Sequence, residues 1–327
     1  MKSTKFNLTT AIAASALALG TSIVSAETWD MPMAYSASNF HSEQGVLFAE
    51  RVKEYTNGSL DITVHAGGSL FKGGEIKRAI QTGQVNIGER FMSAHGNEAP
   101  ILGWDNLPFL ATTYADNERL WGAAKDTVNG ALADLNLVAL YTCPWPGQGF
   151  YFNKEVASSA DTQGVKFRSY NTATATFAEG LGMVPVQVEA AELSQALATG
   201  VAEAFISSGS TGYDRKVWEH LSHYYKVNAW LPRNYVMVNK GAWDGLDAAT
   251  QAGVQKAADE TGASCAAKSA ELAGWYFEQL EENGMTVQDA GPGFLAELQV
   301  IGAAMQATWL EDTGAAGQAI IDAYNNN

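Results

Sequence analysis

"EIKRAIQTGQVNIG" at Glu75–Gly88 and "ELSQALATGVAEAF" at Glu192–Phe205 share glutamate at the first position, alanine at the fifth and Thr-Gly at the eighth and ninth. Each reads as a short amphipathic helix ended by a glycine, Gly83 or Gly200, at the left-handed position that closes helices, and then as a strand. Each also follows a strand-like run, Leu60–Val64 in one case and Val184–Val188 in the other. The same strand, helix and strand used near the start of each half predicts two similar α/β lobes. In such folds the ligand lies between the lobes, beyond the carboxyl ends of the strands.

The pattern extends in both directions. Trp29–Tyr35 reads as a strand and Ser42–Tyr55 as a helix with Val46, Leu47, Phe48 and Val52 turned inward. Strands alternating with helices of this length argue for parallel sheets joined by right-handed crossovers. Asp247–Asn283 carries a helical pattern with no proline. At about 1.5 Å per residue it exceeds ~50 Å, long enough to brace both lobes; two helices meeting near Thr261-Gly262 is the alternative. A short strand, Met285–Gln288, and C-terminal helices complete the chain. The expected organisation is a first α/β lobe over 27–150, a second over 151–240, joined by a hinge, and a long interlobe helix with returning helices over 241–327.

The 327 residues carry a formal charge of −15. Lys2 and Lys5, the apolar run Ala11–Ile23 and the small residues Val24-Ser25-Ala26 form the three parts of an export leader, cleaved after Ala26 and leading to the periplasm. Losing its two lysines takes the charge to −17. Such a surface excludes nucleic acid and adhesion to an anionic membrane, and an anionic ligand needs a local cationic site to hold it. No later stretch is long and apolar enough to cross a bilayer. Cys143 and Cys265 are the only cysteines; export permits a bond, but pairing depends on geometry. His220 and His223 read as a solvated helix face, with no further His or Cys nearby to complete a metal site. The nucleophile-elbow, zinc-protease, phosphate-loop and dinucleotide motifs are all missing, so neither catalysis nor a cofactor is expected.

One stretch points to specific chemistry. In "GVKFRSYNTAT", Gly164–Thr174, a strand over Val165–Phe167 is closed by Arg168, and cap-type residues then open a helix. A fixed cation beside a helix amino end is half of an anion site. The planar guanidinium fork matches a carboxylate at two points, which lysine cannot do.

The whole run Asp161–Leu221, together with "HAGGSLFKGGEIKRAIQTGQVNIGE", "WDNLPFL" and "NYVMVNKGAWDGL", resembles the DctP-like solute-binding proteins of tripartite ATP-independent periplasmic (TRAP) transporters. The resemblance implies two lobes crossed by a long helix, closing on an organic anion. The anion is then handed to a small and a large membrane subunit driven by a sodium gradient. It also implies that Arg168 takes the ligand carboxylate as a two-pronged pair. Where members that bind larger or doubly charged acids carry a second arginine, this chain has Gln148, and where many carry asparagine it has Ser207 and Ser208. One fixed charge favours a monocarboxylate. The aromatic residues expected near the cleft, Phe40, Phe91, Trp145, Phe150, Tyr170, Tyr213 and Trp230, suit an aromatic or hydroxy/oxo body. Trp145, between two prolines, is foremost among them. Glu89 is expected to accept from a ligand hydroxyl, to pair with Arg90 or to make an interlobe contact. Were Arg90, Arg215 or Arg233 brought in as a second cation, a C4-dicarboxylate would become the ligand. An exported enzyme or a sensory binding protein on the same scaffold are the other readings.

Overall fold

The structure, a computed structural model, describes residues 26–326; the expected leader, residues 1–26, lies outside the described residues except for Ala26. In the first lobe β1 (Glu27–Pro32) and β2 (Leu60–His65) pair in parallel, linked by α1 (Phe40–Tyr55). Then come α2 (Gly73–Gln81), β3 (Ile87–Phe91), α3 (Tyr114–Asp134) and β4 (Leu137–Pro144). The second lobe runs β5 (Gly149–Phe152), β6 (Lys166–Ser169), α4 (Thr172–Gly180), β7 (Val184–Gln187), α5 (Leu193–Ala198), β8 (Ala204–Ser207), α6 (Gly209–Asp214) and β9 (His223–Lys226). Last come β10 (Arg233–Asn239), α7 (Lys240–Gly245), α8 (Ala248–Glu282), β11 (Thr286–Asp289) and α9 (Pro292–Asn326), which breaks at Gly314.

The repeat seen in the sequence is a repeat of topology. Across the first lobe the strands run β2-β1-β3-β10-β4, with β3 lying beside β1, and across the second β7-β6-β8-β5-β9-β11. Gly83 and Gly200 stand at φ +71° and +66° as the two helix-to-strand turns require. The sheets are mixed and not purely parallel. β10 is antiparallel to β3 and β4, and β5 is antiparallel to β8 and β9. β10 belongs to the first-lobe sheet although residues 151–240 read from sequence as the second lobe, because the chain crosses back to reach it.

Strand alternation divides each core into two layers. In β10, Tyr235 and Met237 pack with α2 and α3, while Val236 and Val238 pack with α1 and α8. In β5, Phe150 and Phe152 face α4 and α9, while Tyr151 faces α5. Each such side chain contributes roughly 1.5–3 kcal/mol by leaving water. The inward face of α1 is Gly45, Phe48, Ala49 and Val52; Val46, one step round the helix, is 46% exposed, which corrects its expected inward placement. His223 opens β9 and His220 precedes it, so they share no helix face.

The long pattern after Asp247 is one helix, α8, of 35 residues. Asp247 caps it, its carboxylate accepting from the N–H groups of Ala249 and Thr250 at 2.9 Å. A Cβ on Gly253 would sit 2.8 Å from the Tyr55 carbonyl oxygen, so only glycine lets α8 press against the end of α1. The first half of α8 packs in the first lobe; Tyr276 and Leu280 lie against the second. A disulfide between Cys143 and Cys265 ties β4 to its middle.

Candidate functional site

Strands β3, β6 and β8 end at one pocket between the lobes, lined by Phe91 and Ser207, the last residues of β3 and β8, and by Arg168, the last but one of β6. The empty space between its lining residues, open solvent at the mouth included, is about 480 Å3. Arg168 is 2% exposed. Its Nε donates to the Val188 carbonyl oxygen at 2.9 Å, which fixes the plane of the guanidinium. Among the described residues neither Nη finds a protein acceptor, so the fork faces the pocket. Burial lowers its pKa to about 10, leaving it a cation at neutral pH. The charge lies 5.1 Å from the centre of the Tyr170 ring.

Around this cation the polar groups are held in place. The Tyr170 hydroxyl donates to Gln148 Oε1 at 3.3 Å and accepts from the Trp230 indole N–H at 3.1 Å. Gln148 Nε2 donates to the Pro146 carbonyl oxygen at 3.0 Å. The Trp145 N–H is committed to Asn234 Oδ1 at 2.8 Å, so Trp145 offers the pocket its ring alone. Tyr35 packs edge-on against that ring, centroids 4.7 Å apart. Ser208 caps α6, its Oγ accepting from the Thr211 N–H at 3.4 Å.

A second guanidinium reaches the pocket from β3. Arg90 Nε donates to His95 Nε2 at 3.2 Å, and Nη2 lies 3.4 Å from Glu189 Oε1 across the cleft. Arginine only donates, so His95 Nε2 carries the lone pair and Nδ1–H donates to Glu98 at 2.7 Å. Burial, then the Arg90 charge, lowers the His95 pKa to about 4, so the ring is neutral. Lys77 pairs with Glu98 at the outer end. A further cross-cleft bond runs from Asn39 Nδ2, at the start of α1, to Asp214 Oδ2 on α6 at 2.6 Å.

Of the residues singled out in the sequence, Arg168, Gln148, Trp145, Ser207, Ser208, Tyr170, Phe91 and Arg90 line the pocket. Glu89 does not. Neighbours on a strand face opposite ways, and Glu89 turns from Arg90 into the interior to meet His41 Nδ1 at 2.9 Å. Phe40 also stands behind the wall, packed with the disulfide and Trp145. Phe150 is core, Tyr213 packs with Trp218 and Trp275, and Trp230 stands behind the wall, its indole N–H donating to Tyr170 and its carbonyl oxygen accepting from the Gln148 N–H at 3.0 Å. Arg233 is spent on Asn117, Thr142 and Glu118, and neither it nor Arg215 lines the pocket. The amino end of α4, expected beside Arg168, is capped by Asn171 and opens onto a different cleft shared with α9. The start of α6 takes its place. Tyr35, Ala94, Glu189, Ala190, Thr211 and Pro232 complete the lining without having been singled out. Tyr35 and Glu189 follow β1 and β7, so the rule that sites form beyond strand ends pointed to both.

Residues 33–312 match the profile described as bacterial extracellular solute-binding protein, family 7. A solved TRAP solute-binding protein from an unidentified marine microbe, described as specific for pyroglutamate and holding co-purified pyroglutamate, is 77% identical. The match covers 92% of this chain and 99% of that one at a TM-score of 0.92. A Bordetella pertussis extracytoplasmic solute receptor binding pyroglutamic acid is 42% identical, covering 92% and 100%, with a TM-score of 0.90. The C4-dicarboxylate-binding periplasmic protein of Rhodobacter capsulatus is 28% identical over 227 residues, 65% of each chain. The aligned part thus spans just under two thirds of that curated relative.

Proposed function

We propose a receptor role on this premise: the chain belongs to family 7 of the bacterial extracellular solute-binding proteins, which it matches over residues 33–312. In this reading it is a periplasmic protein, freed of its leader after Ala26. It captures pyroglutamate, or an equally compact monocarboxylate, for the membrane subunits of a TRAP transporter. The carrying observation is Arg168, a buried guanidinium whose two Nη groups face the pocket without protein acceptors among the described residues. A carboxylate supplies what they lack. Pyroglutamate has one carboxylate and a flat lactam ring. The carboxylate pairs with Arg168, the lactam amide meets Gln148 and the serines, and Trp145, Phe91 and Tyr35 cover the ring. The 77% identical relative that holds pyroglutamate supports this choice over benzoate-like or simple hydroxy acids.

The competing ligand is a C4-dicarboxylate, favoured by Arg90 on the pocket wall and by the name of the Rhodobacter relative. Arg90 is already paired with Glu189, which counts against it. Calorimetric titration with pyroglutamate, benzoate, lactate, pyruvate and malate decides. Pyroglutamate is expected to bind tightest; malate binding tightest of the five overturns the reading.

A further inference from the structure

The charged side chains on the pocket wall are Arg90, Arg168 and Glu189. Their sum is one positive charge, since His95 behind Arg90 accepts a hydrogen bond and is neutral. We infer that Glu189 is the residue that makes this pocket a site for monoanions: by pairing with Arg90 it removes the second cation a dicarboxylate would need. The inference rests on reading the pocket as a carboxylate site.

The segment Val188-Glu189 orients both guanidinium groups. The Val188 carbonyl oxygen holds Arg168 Nε, and the next side chain, the Glu189 carboxylate, lies 3.4 Å from Arg90 Nη2. Arg90 is held on its other side by His95, so its charge is fixed between two partners while the Arg168 fork stays open. The Glu189 carboxylate also lies against the first turn of α2. A Cβ on Gly73 would stand 3.2 Å from Glu189 Oε2 and 3.0 Å from Arg90 Nη1, so the glycine leaves room for the pair. The Glu189 side chain is 42% exposed at the pocket mouth, where water helps carry its charge before a ligand arrives. A second carboxylate entering the cleft must either sit unpaired beside Glu189 or displace it from Arg90. An uncompensated charge in a closing site is strongly unfavourable, so rejection of dianions follows from charge as well as shape.

The test uses two probes of one skeleton, glutarate and its monoamide glutaramate, which differ by one charge. Each is titrated calorimetrically into the parent, Glu189→Gln, Glu189→Asp and the double variant Arg90→Gln/Glu189→Gln, with melting curves confirming the fold. The parent is expected to prefer glutaramate at least tenfold. Glu189→Gln should shift the ratio at least tenfold toward glutarate. Glu189→Asp, which keeps the charge, and the double variant, which restores the sum of one, should both return toward glutaramate. A ratio that stays within threefold of the parent's in Glu189→Gln overturns the inference, as does a parent that prefers glutarate or binding of neither acid by any form. Pyroglutamate titrated into the parent reports separately on the proposed ligand. Its failure beside an intact shift in the glutarate ratio would remove that ligand and leave the charge filter standing.

Discussion

Replacing Arg168 by methionine separates what the guanidinium does for the ligand from what it does for the fold. Burial brings its pKa down from the ordinary arginine value to about 10. At ~1.4 kcal/mol per pKa unit, the ligand-free protein gives up roughly 3 kcal/mol to keep this charge out of water. Methionine relieves that and keeps most of the stem packed. Against the gain stands the Val188 carbonyl, which loses its donor, a loss of about 1–3 kcal/mol for a buried group. The two nearly cancel, so stability without ligand should stay within about 2 kcal/mol of the parent. Binding behaves differently. Truncating one member of a buried charge pair costs about 2–5 kcal/mol, roughly 30-fold to several thousand-fold in affinity. Urea unfolding with and without pyroglutamate reads both quantities. The parent should gain about 2.7 kcal/mol at a hundred times Kd, and the variant nothing at the same concentration. Arg168→Lys keeps a charge and loses the fork, and should bind at least tenfold more weakly than the parent. A methionine variant that still gains from pyroglutamate refutes the role given to Arg168. One that unfolds by itself shows the arginine to be structural.

Removing the disulfide with Cys143→Ala/Cys265→Ala opens a loop of 122 residues and should cost about 2–5 kcal/mol in denaturant unfolding; no change would mean that the packing of α8 on β4 suffices. His95 should resist protonation until about pH 4. As pH falls from its ordinary 6.5 the unfolded chain takes the proton first, so its contribution to stability declines over that window. Asp105, raised by burial to about 7, acts in the opposite sense, because the folded chain takes its proton first and gains below pH 7. The two oppose each other in a global melt, so the measurement is the His95 ring resonance by NMR, and a midpoint near 6.5 contradicts the Arg90–His95 geometry. Asp214→Ala removes the bond from Asn39 across the cleft. It should enlarge the ligand-free radius of gyration in small-angle scattering, with saturating pyroglutamate closing it again; an unchanged radius argues that this bond does not hold the lobes.

The helix-Gly-strand repeat at Glu75 and Glu192 was legible because left-handed glycines and amphipathic spacing are local signals. The same holds for α8, whose long run without proline has one interpretation when both its ends find a lobe to pack on. Arg168 was legible because a cation closing a strand sits where α/β sites form. Strand pairing was not, since the partner of β10 is decided by three-dimensional neighbours that no window of sequence contains. Glu89 and Glu189 show the same limit within the site. Both are acids near strand ends, yet one turns inward to His41 and the other reaches Arg90 from the opposite lobe. Phe40 carried an aromatic signal that suited a pocket wall equally well, and only packing against the disulfide placed it behind Trp145.

The antiparallel strand β10 is inserted between β3 and β4, strands that precede the whole run β5 to β9 in the chain. β10 fills the slot between β3 and β4 only after residue 239 has left the ribosome, when all of β5 to β9 has already emerged. The nascent first lobe therefore waits with an open gap in its sheet while the second is made. Lobe-by-lobe folding during synthesis, the common route for multidomain chains, is closed to this topology. The two lobes should instead melt and refold as one cooperative unit despite the cleft between them.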